Sequence, residues 1–179
     1  MEKVFKAIDF AQKAHRGQLR KSTQIPYIIH PLGVMEILLR HNCSKDAAIA
    51  GILHDTIEDT PVTAEDIEKE FGTKIKYLVM AASEPDKSAS WEERKQHTME
   101  FLSSVKDEEV LCVTCADKMH NLLSIVKDYQ TIGEKVWDRF NRGKESQKWY
   151  YTSLAEIFVA FNNENPLFNE FYNLVNEFF

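Results

Sequence analysis

Glycine and proline are scarce in this chain of 179 residues, at six and five. A β-rich protein of this length needs such residues at its many turns, so their scarcity excludes a loop-rich β architecture. Cysteine is scarcer still, with only Cys43, Cys112 and Cys115. An odd count with no second close pair excludes a disulfide framework and an all-cysteine zinc site. Cys112 and Cys115 have the spacing of half a zinc site, but the apolar residues around them are those of a buried helix, where a free thiol packs as a small hydrophobe. No apolar run approaches the roughly 18 residues of a membrane span, so no membrane partner is expected. The start of the chain passes directly into an amphipathic pattern without the apolar centre of a signal peptide, which makes the cytoplasm the expected location. An excess of positive charge is also lacking: 22 Lys and Arg face 28 Asp and Glu, a formal net charge of −6. That balance argues against nucleic acid as a partner and leaves room for a local basic pocket around a small anion.

What is present is helical periodicity. Apolar residues recur at spacings of three and four, which predicts an all-α bundle. The 44% hydrophobic content is enough for a single domain with its own core. Helices are predicted over residues 2–16, 31–41, 63–71, 72–83, 91–105, 108–127, 132–142, 146–162 and 166–179. One more starts after Ser44 and runs unbroken to Asp59. Thr63 with Asp66 and Ser90 with Glu93 have the spacing of capping boxes. The first half of 108–127 is apolar nearly all round, as is Ala47–Leu53, so both helices are expected to be buried. The aromatic stripe Phe168, Phe171, Tyr172, Phe178 and Phe179 belongs to the core or to a contact between copies, and a homo-oligomer is left open.

Polar residues set in these apolar surroundings carry the chemistry. The stretch Gly51-Ile-Leu-His-Asp-Thr-Ile-Glu-Asp-Thr60 brings His54, Asp55, Glu58 and Asp59 together at the end of the Ala47–Leu53 run. On a continuous helix His54 would share a face with Glu58, and Asp55 with Asp59. His30 precedes Pro31 at a helix start, and Asp117 interrupts the buried face of 108–127 directly after Val113-Thr-Cys-Ala116. A lone carboxylate there costs several kcal/mol unless it is paired or bound to a cation. Two imidazoles and two carboxylates make a mixed nitrogen and oxygen donor set, suited to Mn²⁺, Fe²⁺, Zn²⁺ or Mg²⁺ rather than to a thiolate-preferring metal.

His30, His54-Asp55 and Asp117 together resemble the signature of the HD-domain metal-dependent phosphohydrolases. The blocks Pro26-Tyr-Ile-Ile-His-Pro31, His54-Asp-Thr-Ile-Glu-Asp-Thr60, Phe71-Gly72, Glu93-Arg-Lys95 and Ala116-Asp-Lys-Met-His-Asn121 are similar, in order, to the hydrolase domain of the RelA/SpoT family and its small stand-alone alarmone hydrolases. The likeness covers roughly residues 5–160 and implies one HD-domain bundle over 1–179, with helix 166–179 packed on it. The resemblance implies that His30, His54, Asp55 and Asp117 hold one divalent ion, usually Mn²⁺, and that Glu58 and Asp59 are the catalytic pair. It implies a guanine nucleotide substrate, met by Arg20, Lys21, Asn121 and Tyr150. As basic side chains, Lys87, Arg94, Lys95, Arg142 and Lys144 are able to ring the pocket and meet its phosphate charge. The implied reaction is hydrolysis of the 3′-diphosphate of guanosine 3′,5′-bis(diphosphate) or its pentaphosphate to GDP or GTP plus pyrophosphate. On that resemblance a hydrolase without a synthetase domain is expected. The stretch from Arg20 to Pro26 is shorter than usual in that family, which leaves a broader nucleotide phosphohydrolase open; a nucleotide-binding module without turnover is a third reading, against which the intact Glu58-Asp59 pair argues.

Overall fold

A computed structural model of the chain describes residues 2–21, 23–83 and 89–179. Ten α-helices follow one another among them: α1 (Glu2–Ala14), α2 (Ile29–Arg40), α3 (Lys45–Leu53), α4 (Thr56–Asp59), α5 (Ala64–Phe71), α6 (Thr73–Ala82), α7 (Trp91–Ser104), α8 (Glu108–Ile132), α9 (Gly143–Phe161) and α10 (Pro166–Phe178). Among the described residues the only β-pairing is an isolated bridge between Leu19 and Pro26, which pinches the basic loop before α2. No described helix is long and apolar enough to cross a membrane.

The centre is α3. Every residue from Ala47 to Leu53 is buried, because α1, α2, α6 and α8 all pack on it. Small side chains let these neighbours come close. A Cβ on Gly51 would lie 2.5 Å from Leu38 Cδ1 and 3.2 Å from Val34 Cγ1, so α2 rests on the glycine itself. The long helix α8 runs under both α2 and α3, with Val110 to Asp117 buried without a break. Three helices therefore cross at one place, and His30, His54 and Asp117 stand there.

Capping chemistry sets several helix starts. Ser44 accepts from the Ala47 amide, and complete capping boxes link Thr63 with Asp66 and Ser90 with Glu93. Each such cap is worth about 1 kcal/mol. Cys112 and Cys115 are buried in α8 as free thiols, and Cys43 is half-buried.

Two elements depart from the periodicity. The helix through the acidic motif is not continuous: α3 ends at Leu53, and His54 and Asp55 form a turn before α4. The carbonyls of Gly51 and Leu53 accept from the His54 ring and the Thr56 hydroxyl, side-chain donors that compete with the amides of a continuing helix. Residues expected as an α-helix over 132–142 are instead the last residue of α8 and a 3₁₀ stretch, Gly133–Arg139, bounded by Gly133 and Gly143 at positive φ.

The far end of the bundle is aromatic. Phe158 of α9 stacks on Phe168 of α10 at 5.4 Å between centroids and meets Phe171 edge-on at 5.7 Å; all three are fully buried. Phe158→Ala is expected to cost about 3–5 kcal/mol, from lost transfer energy plus the cavity left behind. Urea unfolding with an unchanged slope and a lower midpoint is the expected readout.

Candidate metal centre

His30 stands in the first turn of α2, His54 caps the C-terminus of α3, and Asp117 lies midway along α8. All three are buried, and each offers a ligand atom within 4.8 Å of those of the other two. His30 Nε2 is 3.1 Å from Asp117 Oδ1, and His54 Nε2 is 3.6 Å from the same oxygen. Asp55 faces them from the turn, its Oδ2 3.0 Å from His54 Nε2 and 3.6 Å from His30 Nε2.

The donor set fits a cation. His54 Nδ1 lies 2.8 Å from the Gly51 carbonyl, which can only accept, so Nδ1 carries a hydrogen and, in the neutral ring that binds a cation, Nε2 carries the lone pair. That Nε2 is buried and makes no hydrogen bond among the described residues, although it faces two carboxylates. A lone pair aimed at carboxylate oxygens is repulsive until a cation stands between them. Metal–ligand bonds of about 2.0–2.2 Å place ligand atoms no more than about 4.4 Å apart, and the nitrogen–oxygen distances of 3.0–3.6 Å in the cluster fall inside that limit.

Electrostatics show the same demand for positive charge. Burial disfavours the imidazolium of His54, yet Asp55 and Asp117 overcome this and raise its pKa well above the usual histidine range. Burial would raise the Asp117 carboxyl, but Lys118, with Nζ 2.7 Å from Oδ2, and the two histidines hold it well below its ordinary value. Asp55 is likewise lowered against burial, chiefly by His54. His30 is lowered by burial despite Asp117. Burial, with His30 and Arg20 nearby, also lowers His120 to about 4.

The other residues picked out by sequence fall into groups. Arg20 Nη2 donates to Asn121 Oδ1 at 2.9 Å, and Asn121 Nδ2 donates to Asp117 Oδ1 at 2.8 Å, so a half-buried arginine is tied to the cluster through one amide. Lys21 is exposed beside it. Glu58 and Asp59 follow on α4, Glu58 half-buried and Asp59 exposed. Gln18 Nε2 holds the Asp59 carbonyl at 2.9 Å. Tyr150 is buried under Lys95, whose Nζ is 5.0 Å from the ring centre, and against Trp91. Arg142 and Lys144 have acidic partners outside the cluster, Glu92 at 2.7 Å and Glu134 at 3.1 Å. Lys87 lies outside the described residues.

Tyr27, Lys118 and His120 join the site without having been singled out for it. The Tyr27 hydroxyl donates to Asp55 Oδ2 at 2.5 Å and lies 3.5 Å from Asp59 Oδ2. Burial, then Asp55, raises the phenol pKa, so it stays a donor. Its ring sits between His15, Arg20 and His30. The signal for Tyr27 was its place in the Pro26–Pro31 block, and for His120 its position one helical turn after Asp117.

Residues 7–144 match the HD domain family model. Over 126 residues, 68% of the chain, it is 36% identical to the guanosine-3′,5′-bis(diphosphate) 3′-pyrophosphohydrolase of Borreliella burgdorferi, of which it spans 19% of the length. The crystal structure of lmo0812 from Listeria monocytogenes EGD-e superposes with a TM-score of 0.76 at 37% identity, covering 83% of this chain and 97% of that one. A metazoan ortholog of SpoT, described as hydrolysing ppGpp, has the same fold: TM-score 0.79 at 24% identity, covering 99% of this chain and 95% of that one.

Proposed function

This chain belongs to the HD-domain family, and from that premise we propose that it is a metal-dependent phosphohydrolase that removes the 3′-diphosphate of guanosine 3′,5′-bis(diphosphate) or its pentaphosphate. The observation that carries the chemistry is the bare Nε2 of His54, buried and turned toward Asp55 and Asp117. The substrate class is supported by the name of the Borreliella burgdorferi relative and by Arg20 and Lys21, basic groups beside the cluster that can meet an anion locally.

His30, His54, Asp55 and Asp117 would hold one divalent ion, for which Mn²⁺ is the proposed identity. Bound there, such an ion supplies Lewis acidity toward phosphate oxygen and lowers the pKa of water. The chain supplies the rest. Glu58, with Asp59, takes the proton of the attacking water. The water oxygen joins the phosphorus on O3′, the O3′–P bond breaks, and a proton returns to O3′, leaving GDP or GTP and pyrophosphate. Tyr27 holds Asp55 in place by its hydroxyl, and Asn121 holds Asp117 by its amide. Arg20 and Lys21 bind the nucleotide, with Tyr150, Lys87, Arg142 and Lys144 as further contacts. Arg142 and Lys144 would exchange Glu92 and Glu134 for phosphate when they take part.

The test is pyrophosphate release from guanosine 3′,5′-bis(diphosphate) by the purified chain with Mn²⁺, and again with a chelator. GDP and pyrophosphate are expected in equal amounts, with Mn²⁺ only. Release from ordinary nucleotides, with none from this substrate, would replace the proposal by a broader nucleotide phosphohydrolase.

A further inference from the structure

His120 Nδ1 lies 2.9 Å from His30 Nδ1, with ring centroids 4.9 Å apart and planes tilted by 54°. Two neutral imidazoles share such a contact only if one nitrogen carries the hydrogen and the other the lone pair. The far side of His30 decides which. Its Nε2 faces Asp117 Oδ1 at 3.1 Å and is the nitrogen that a cation in the cluster would take, as a lone pair. His30 must then carry its hydrogen on Nδ1 and donate it to His120. His120 must accept at Nδ1 and carry its own hydrogen on Nε2.

We infer that His120 is a positioning residue for the metal centre, an imidazole acceptor that fixes the tautomer and the ring orientation of His30, and that Gly33 is the gap admitting it. Gly33 stands one turn after His30 on α2. A Cβ there would lie 2.2 Å from both Cδ2 and Nε2 of His120, so any side chain at position 33 drives the ring off its seat. An outer partner of this kind typically changes metal affinity by about 10–100-fold. The inference rests on the metal site proposed above.

The experiment is calorimetric titration of the chelator-stripped full chain with Mn²⁺. His120→Phe keeps a ring and loses the acceptor, and is expected to bind about 10–100-fold more weakly. His120→Gln restores an acceptor and is expected to recover most of the loss. Gly33→Ala is expected to weaken binding, and the double variant Gly33→Ala/His120→Phe to bind no more weakly than His120→Phe alone, because both changes break one contact. In the wild-type chain loaded with diamagnetic Zn²⁺, long-range proton–nitrogen NMR should place the hydrogen on Nδ1 of His30 and Nε2 of His120. That reading needs no variant to fold. Wild-type Mn²⁺ affinity in His120→Phe, or a hydrogen on Nδ1 of His120 in the loaded protein, overturns the inference, and additive losses in the double variant remove Gly33 from it. A wild-type chain that takes up neither ion would sink the metal reading itself, a separate failure.

Discussion

Asp117→Ala is expected to yield a folded chain that keeps no Mn²⁺ after dialysis against a chelator and releases no pyrophosphate above background, a loss of at least about a thousandfold, or 4 kcal/mol. Several interactions meet on this one carboxylate. Its Oδ1 faces His30 at 3.1 Å and His54 at 3.6 Å and accepts from Asn121, while Oδ2 is paired with Lys118. Without it, Lys118 loses the carboxylate 2.7 Å away, and the cluster loses one of the two negative charges that draw a cation in. Stability of the metal-free protein should change far less than activity. Asp55 and Asp117 are like charges in one buried site, and removing one relieves repulsion while it costs a pairing. The sharper readout is therefore the Mn²⁺-dependent rise in unfolding temperature. A ligand at 100 times its Kd stabilises the native state by about 2.7 kcal/mol; the wild type should show this rise and Asp117→Ala should not. His54→Ala should behave alike. Asn121→Ala should lose less, since it acts on Asp117 through one hydrogen bond. Full turnover in dialysed Asp117→Ala would remove this residue from the metal set.

How much of this was open to a reading of sequence depends on which forces did the placing. Helix order follows from burial, which leaves a periodic trace: Ala47 to Leu53 is apolar on every side because four helices pack on it. Helix starts at Thr63 and Ser90 were legible because their caps are local, spaced by three. The break at His54–Asp55 left no periodic trace, since side chains bonding back to Gly51 and Leu53 make it. His30, His54 and Asp117 stood out as polar residues in apolar surroundings, a costly placement that calls for a partner. His120 and Tyr27 were harder, because their partners are chosen by the crossing of α2 over α8 and by the loop before α2. Nothing local tells a histidine beside Asp117 that a glycine on another helix has made room for it. The basic residues were least legible: a lysine or arginine reaches far, and Glu92, 50 residues away, holds Arg142 while Glu134, on the 3₁₀ stretch before α9, holds Lys144.

Glu58→Gln is expected to show the opposite split from Asp117→Ala: wild-type Mn²⁺ binding with turnover reduced about 10²–10⁴-fold. The substitution keeps size and hydrogen-bonding reach and removes only the ability to take a proton. Glu58 lies outside the group of buried ligand atoms, on α4 beyond the turn that carries Asp55. Its neighbour Asp59 connects to that group through Tyr27, whose hydroxyl lies 2.5 Å from Asp55 and 3.5 Å from Asp59. α4 is a single turn, so Glu58 and Asp59 lie in its first turn as well as at its end, and the helix dipole gives the fold no reason to keep them. Glu58→Gln should therefore unfold at the same or a slightly higher temperature while catalysis falls, which marks a residue kept for chemistry rather than for the fold. Asp59→Asn should fall less, because its carboxylate is the more exposed of the two. The comparison is made at saturating Mn²⁺, with kcat measured separately from KM, so that weakened nucleotide binding is not mistaken for a lost base. If Glu58→Gln releases pyrophosphate at the wild-type rate, the proton goes elsewhere and the Glu-Asp pair is a solvated helix end. If it binds ion and nucleotide but does not turn over, ion binding and proton movement belong to different side chains, one set held by α2, α3 and α8 and the other by α4.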